Sequence, residues 1–175
     1  GTNATIGHGL SAAPDTIWWK NLSQNDSWAV YNSGDLLGNN KLTAVDVNLG
    51  SSLSGTAYMQ ATNPTSTVIS IGDEHKVNAS GENYVAFGWS DIQGYCKQGR
   101  FVGNGSTDGT FVYTGFRPAW LMYKEDEAQG GWGMWDHGSE NGPFNPITKR
   151  FLANTTAAQD TSADNSIDFL SNGFK

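Results

Sequence analysis

Gly1–Lys20 reads GTNATIGHGLSAAPDTIWWK, and Gly105–Lys124 reads GSTDGTFVYTGFRPAWLMYK, a second writing of the same pattern. With a two-residue gap in the turn, Gly9-Leu10 meets Gly115-Phe116. Pro14 then meets Pro118, Lys20 meets Lys124, Trp28 meets Trp132 and Tyr31 meets Trp135, all at constant spacing. Self-similarity of this kind marks architectures whose units bury their apolar faces against one another. We therefore expect two related units, residues 1–95 and 96–175, forming either one sandwich or two. The second unit is expected to be incomplete at its C-terminus. The first runs from Thr67–Ile71 on to the apolar stretch Tyr84–Trp89, and nothing similar follows Asp168–Lys175. A sandwich lacking that strand would expose an edge ready to pair with another chain.

Working outward from the repeat, short runs rich in β-branched and aromatic residues alternate with Gly, Asn, Asp, Ser and Pro clusters, which is the pattern of short strands joined by turns. The expected strands are Thr16–Lys20, Ser27–Tyr31, Leu42–Val47, Ala57–Ala61, Thr67–Ile71, Tyr84–Trp89, Thr110–Thr114, Ala119–Lys124, Trp132–Asp136, Arg150–Ala153 and Ser166–Leu170. Helical periodicity is poor throughout, with Thr155–Gln159 the best local exception. The expected fold class is all-β, an antiparallel β-sandwich or barrel.

Bulk properties narrow the function classes. The net charge of −7 and pI near 4.7 repel phosphate backbones, and the ten Lys and Arg residues form no basic stripe, so nucleic acid is not an expected partner. Charged residues make up only 15% of the chain while Ser, Thr, Asn and Gly are abundant, so neutral hydrogen-bonding groups must wet the surface. That composition is common in extracellular and viral β-proteins. Cys96 is the sole cysteine, which excludes an internal disulfide and reads as a small buried hydrophobe. No apolar run approaches the roughly 18 residues that span a bilayer, so membrane insertion is not expected.

Seven Trp, six Tyr and eight Phe are the richest chemical resource. Adjacent residues of a strand face opposite ways, so Trp18 and Trp19 cannot both enter one core unless both faces of their sheet are covered. Trp18, Trp120 and Trp135 are the candidate ligand-binding residues, stacking on sugar rings or anchoring a protein interface, while core filling is the competing explanation. Glycoside hydrolysis would need a pair of carboxyl groups, one with a raised pKa. Glu82, Asp91, Asp136 and Glu140 lie near aromatics but form no compact pattern, so no catalytic residue is assigned. His8, His75 and His137 lack zinc spacing, and Trp135-Asp136-His137 places acid and imidazole on opposite sides of a strand. Gly103-x-Gly105-x-x-x-Gly109 reads as a tight turn, not a phosphate loop. No cofactor is expected beyond a structural calcium, for which Asn104 with Asp108, or Asp160 with Asp164, offer oxygens.

Several phrases are distinctive: Asn78-Ala79-Ser80-Gly81-Glu82-Asn83-Tyr84-Val85-Ala86, Asp91–Tyr95, Gly103–Gly109, Tyr113–Ala119, Ala153–Ala158 and Asp168–Phe174. Together they resemble repeated phrases of virion-associated proteins from tailed bacteriophages, especially marine ones, and they cover most of the chain. The resemblance implies a concanavalin A-like or laminin-G-like β-sandwich. It implies a structural, non-enzymatic module of a virion, extracellular, in a tail fibre or another surface appendage with a role in host attachment. The implied partners are other virion subunits or further copies of the chain. A lectin-like module for host surface glycans is the alternative, and a polysaccharide depolymerase the third reading. The resemblance brings no catalytic residues with it. Cys96 and Glu125-Asp126-Glu127 depart from the family's usual residues.

Overall fold

The computed structural model describes residues 2–33, 42–45, 52–53, 55–125, 130–138 and 144–175. In chain order the strands are β1 (Ala4–Gly7), β2 (Thr16–Asn21), β3 (Trp28–Asn32), β4 (Leu42–Val45), β5 (Ser52–Leu53), β6 (Val68–Ile71) and β7 (Tyr84–Trp89), then β8 (Val112–Tyr113), β9 (Trp120–Tyr123), β10 (Gly133–Asp136), β11 (Phe151–Leu152), β12 (Phe169–Leu170) and β13 (Gly173–Phe174). Two short helices, α1 (Gly55–Met59) and α2 (His75–Asn78), interrupt them. The strands form four sheets, β5-β4-β3-β2-β7, β1-β6, β11-β10-β9 and β12-β13-β8. Their pairings are antiparallel, so the fold is all-β as the turn-rich sequence implies.

The hairpin made by β2 and β3 has a counterpart in β9 and β10. Ile17 faces Tyr31 and Trp18 faces Val30 in the first; Leu121 faces Trp135 and Met122 faces Met134 in the second. Each position of one hairpin maps onto the other at the offset that relates Pro14 to Pro118. The hydrogen bond from Ser33 N to Asp15 O, 2.7 Å, likewise corresponds to that from His137 N to Ala119 O, 3.0 Å. Gly9 and Gly115, matched in the sequence, both adopt left-handed φ, +70° and +84°, which favours glycine. The two hairpins differ at one edge. β2 lies between β3 and β7, whereas β9 ends its sheet and, among the described residues, is bonded to β10 alone.

Burial follows the same division. One core is built from Ile17, Trp19, Ala29 and Tyr31 on the inner face of the five-stranded sheet, covered by Ile69 and Ile71 of β6, Tyr58 and Met59 of α1 and Val77 of α2. A second gathers Trp135, Ile147, Ile167, Phe169 and Phe174, with Val112 and Leu121 against it. No residue is shared between them.

The structure corrects the expectation of a strand over Ala57–Ala61, since α1 occupies Gly55–Met59. Tyr58 and Met59 are consecutive and both buried, which a strand covered on one face would not allow. The helix stops where Gln60 and Ala61 turn to φ of 55° and 51°. Such left-handed conformations cost about 1–2 kcal/mol in non-glycine residues. The Gln60 side chain offsets part of this, because its Nε2 donates to Ala4 O at 2.9 Å and Ile71 O at 2.8 Å, tying α1 to both strands of the β1-β6 sheet. The helical turn expected at Thr155–Gln159 lies instead at Ala163–Asn165, as a short 3-10 turn capped by the Ser162 hydroxyl. Asp46 and Val47, the end of the expected Leu42–Val47 strand, fall outside the described residues.

Candidate functional site

Alternation along β2 sends Ile17, Trp19 and Asn21 inward and turns Thr16, Trp18 and Lys20 to the opposite face. On β7 the residues facing this second set are Trp89, Phe87 and Val85. Trp28 and Val30 of β3 share the face, so the outer surface of the sheet carries an aromatic patch. The Trp28 and Phe87 ring centroids lie 6.1 Å apart with planes 31° apart, and Phe87 and Trp89 lie 6.1 Å apart at 26°. Phe87 and Trp89 stack, and Trp28 tilts against Phe87. Trp18 meets Trp28 and Trp89 edge-on, at 6.1 Å and 5.8 Å. Phe87 and Trp89 remain 46% and 40% exposed although both are large and apolar. A contiguous exposed patch of this kind marks a binding surface more often than isolated exposed residues do. Trp132, from the chain preceding β10, closes on Trp18 from the side, 5.8 Å away at 62°.

Chemically, such a row offers flat π faces to the C–H faces of sugar rings or to another protein's apolar side chains. Of the residues singled out from the sequence, Trp18 sits at the centre of this patch, half-buried. Trp120 is 57% exposed on the edge strand β9. Trp135 is 2% exposed in the second core. Its Nε1 donates to Asn165 O at 2.9 Å and its ring stacks on Tyr123, centroids 4.9 Å apart. Trp135 therefore fills the core and presents no exposed face, in place of the ligand-binding role expected from the sequence. Phe87 and Trp89 were absent from that set, yet their alternation on Tyr84–Trp89, opposite Trp18, is the signal that finds them.

A polar cluster closes the far end of β2, on the inner side of the sheet. Asn21 is fully buried, and its Nδ2 donates to Glu82 Oε2 (2.5 Å) and His75 O (3.1 Å) and reaches Asp26 Oδ2 (3.3 Å). The Asn21 amide, followed by Gln24, holds the Glu82 carboxyl below the usual carboxylate range. His75 pairs with Asp26 through Nε2 at 3.3 Å and with Glu74 through Nδ1. A proton-donating acid needs the opposite shift, and the cluster lies on the other face of β2 from the aromatic row. Asp91 bonds Lys97 and the Gln98 amide, Asp136 accepts from Gly138 N, and Glu140 lies outside the described residues.

A cavity of about 170 Å³ opens between β1, β6 and β7, lined by Ile6, His8, Leu10, Ile17, Ile69, Ala86 and Gly88. Its walls carry no carboxylate. Among the described residues, no group of three or more His, Cys, Asp or Glu side chains is arranged to hold a metal ion. For the calcium sites considered above, Asp160 accepts from Ser162 N at Oδ1 and from the Arg150 and Asn165 side chains at Oδ2. Asp108 pairs with Lys175, and Asn104 bonds Ser106 N and Asp108 O. The oxygens of Asp160 and Asn104 are thus engaged by the protein itself. No helix of the described residues is long and apolar enough to cross a membrane.

A family described as a domain of unknown function, DUF7483, matches the chain over residues 1–175. The chain belongs to the DUF7483 family. No curated protein and no solved structure matches it.

Proposed function

We propose that the chain is a structural, non-enzymatic module of a tailed-bacteriophage virion, built from two related units and lying in a tail fibre or another surface appendage outside the cell. Its partners are other virion subunits or further copies of the chain, and its role is to support host attachment. Each unit is read as a sandwich of the jelly-roll, concanavalin A-like type. The observation that carries the reading is the hairpin register: Ile17–Tyr31 and Leu121–Trp135 occupy equivalent positions in two hairpins, each backed by its own core. Repeated units that pack on their neighbours suit an extended particle component. The neutral polar surface and the phrases quoted from the sequence support the same reading. Labelling particles produced from the encoding genome with an antibody to the chain tests it. Decoration of an appendage is the expected result, and particles free of the chain overturn it.

A second reading rests on the aromatic row. Phe87 and Trp89, stacked and partly exposed, and Trp28 tilted against Phe87 form a surface on which a host glycan could stack, with Trp18 among them. A glycan array with the parent chain and Phe87→Ala and Trp89→Ala variants decides it: binding by the parent lost in both variants supports the reading, and binding unchanged in both removes it. A depolymerase is the weakest of the three readings, because the Asn21 carboxylate cluster and the aromatic row occupy opposite faces.

A further inference from the structure

We infer that the open edge of β9 is an acceptor for an antiparallel strand of the β7 type, supplied by a further unit of the same family. The inference rests on the reading of the chain as two related units, and it names the partner those units require. The first hairpin is the template. There, β7 pairs with β2 along six residues, with Trp89 facing Thr16, Gly88 facing Ile17, Phe87 facing Trp18 and Ala86 facing Trp19. The equivalents on β9 are Trp120, Leu121, Met122 and Tyr123, and β9 has no strand on that side among the described residues.

Exposure differs in the way this difference in pairing predicts. Thr16 and Trp19 are 5% and 1% exposed, while Trp120 and Tyr123 are 57% and 38% exposed. Ile17 is fully buried, whereas its counterpart Leu121 is only half-buried. An apolar strand edge left in this condition offers unpaired backbone groups and apolar side chains together. Backbone hydrogen bonds of an added strand provide affinity, and alternate side chains provide selectivity.

The template also sets the chemistry of the occupant. Residues facing Leu121 and Tyr123 must be small, as Gly88 and Ala86 are, because the core side of β9 already holds Phe101 against Tyr123 and Phe174, with centroids 5.5 Å and 5.7 Å away. Residues facing Trp120 and Met122 lie on the outer face and can be aromatic, as Trp89 and Phe87 are. The incoming strand would extend an aromatic outer face onto the second hairpin.

The test adds the strand in two ways. In one arm, a copy of residues 71–95 is joined after Lys175; in the other, a synthetic peptide of residues 82–91 is titrated into the parent chain. Amide hydrogen exchange at Trp120 and Met122, whose N–H groups point away from β10, is the readout. The expected result is at least tenfold slower exchange at these amides in both arms, abolished when the added copy carries Phe87→Pro, which removes a backbone donor that β7 directs at its partner strand. Unchanged exchange on β9 in the extended chain, with protection between β9 and β10 retained, overturns the inference while leaving the two-unit reading standing. Loss of protection between β9 and β10 in the parent chain would instead remove the two-unit reading. Concentration-dependent self-association that protects β9 without added strand would make a second copy's edge the occupant and overturn the assignment to a β7-type strand.

Discussion

Trp18 and Trp132 meet edge to face, centroids 5.8 Å apart, and so join the outer face of the β2-β3 hairpin to the chain entering β10. Aromatic pairs of this geometry contribute about 0.5–1.5 kcal/mol beyond the area they bury. A double-mutant cycle with Trp18→Ala and Trp132→Ala should therefore give a coupling of about 1 kcal/mol in urea unfolding. Additive effects would show that the contact does not join the two hairpins energetically.

Trp135 and Trp120 should separate sharply in stability although both are tryptophans on neighbouring strands. Trp135→Ala empties a site that is 2% exposed and is expected to cost about 3–5 kcal/mol. Trp120→Ala on the open edge should stay within about 0.5 kcal/mol of the parent. Chemical denaturation of both variants checks the contrast.

Two glycines divide in a similar way. A Cβ at Gly72 would lie 1.8 Å from Ala57 O, a backbone atom that cannot swing aside, whereas one at Gly88 would meet Leu10 and Pro14 at 3.5 Å and 3.6 Å. Gly72→Ala should displace α1 from β6 and lower the thermal midpoint by several degrees, an overpacking cost of about 1–3 kcal/mol. Gly88→Ala should be close to neutral. Calorimetry on the pair distinguishes them.

Tyr58 provides a pH signature. Burial, followed by the charges of Glu74 and Asp26, pushes its phenol up from 10.0 to about 12. The neutral form is thus favoured in the folded chain. That contribution is complete below pH 10 and is lost as pH rises through the window from 10 to about 12. Tyr58→Phe should flatten the fall in stability over that window without altering it near neutrality, as unfolding midpoints measured from pH 7 to 12 would reveal. An unchanged alkaline slope would contradict the assignment.

The legibility of the fold varied with how much of each signal was local. The hairpin at Trp18-Trp19 could be read because alternation alone forces one indole inward, and Trp19 is the one buried. The segment Ala57–Ala61 could not, because five residues fit either period and the choice of helix was made by β6 and the five-stranded sheet, which accept Tyr58 and Met59 together. Along Tyr84–Trp89 the larger residues, Phe87 and Trp89, point away from the core. On the inner face the smaller Ala86 and Gly88 line the cavity beside Ile17 and Ile69. Trp135 is buried by a stacking partner, Tyr123, that lies on a different strand, a contact that alternation along Trp132–Asp136 does not reveal.

The gathering of Trp18, Trp28, Trp89 and Trp132 also gives the molecule an optical identity. Indoles held about 6 Å apart at fixed angles couple their excited states, so the four should act as one chromophore with a split circular-dichroism band in the ultraviolet. Because Trp132 enters from outside the β2-β3 hairpin, the size of that splitting would report, without any added label, whether the two hairpins are docked.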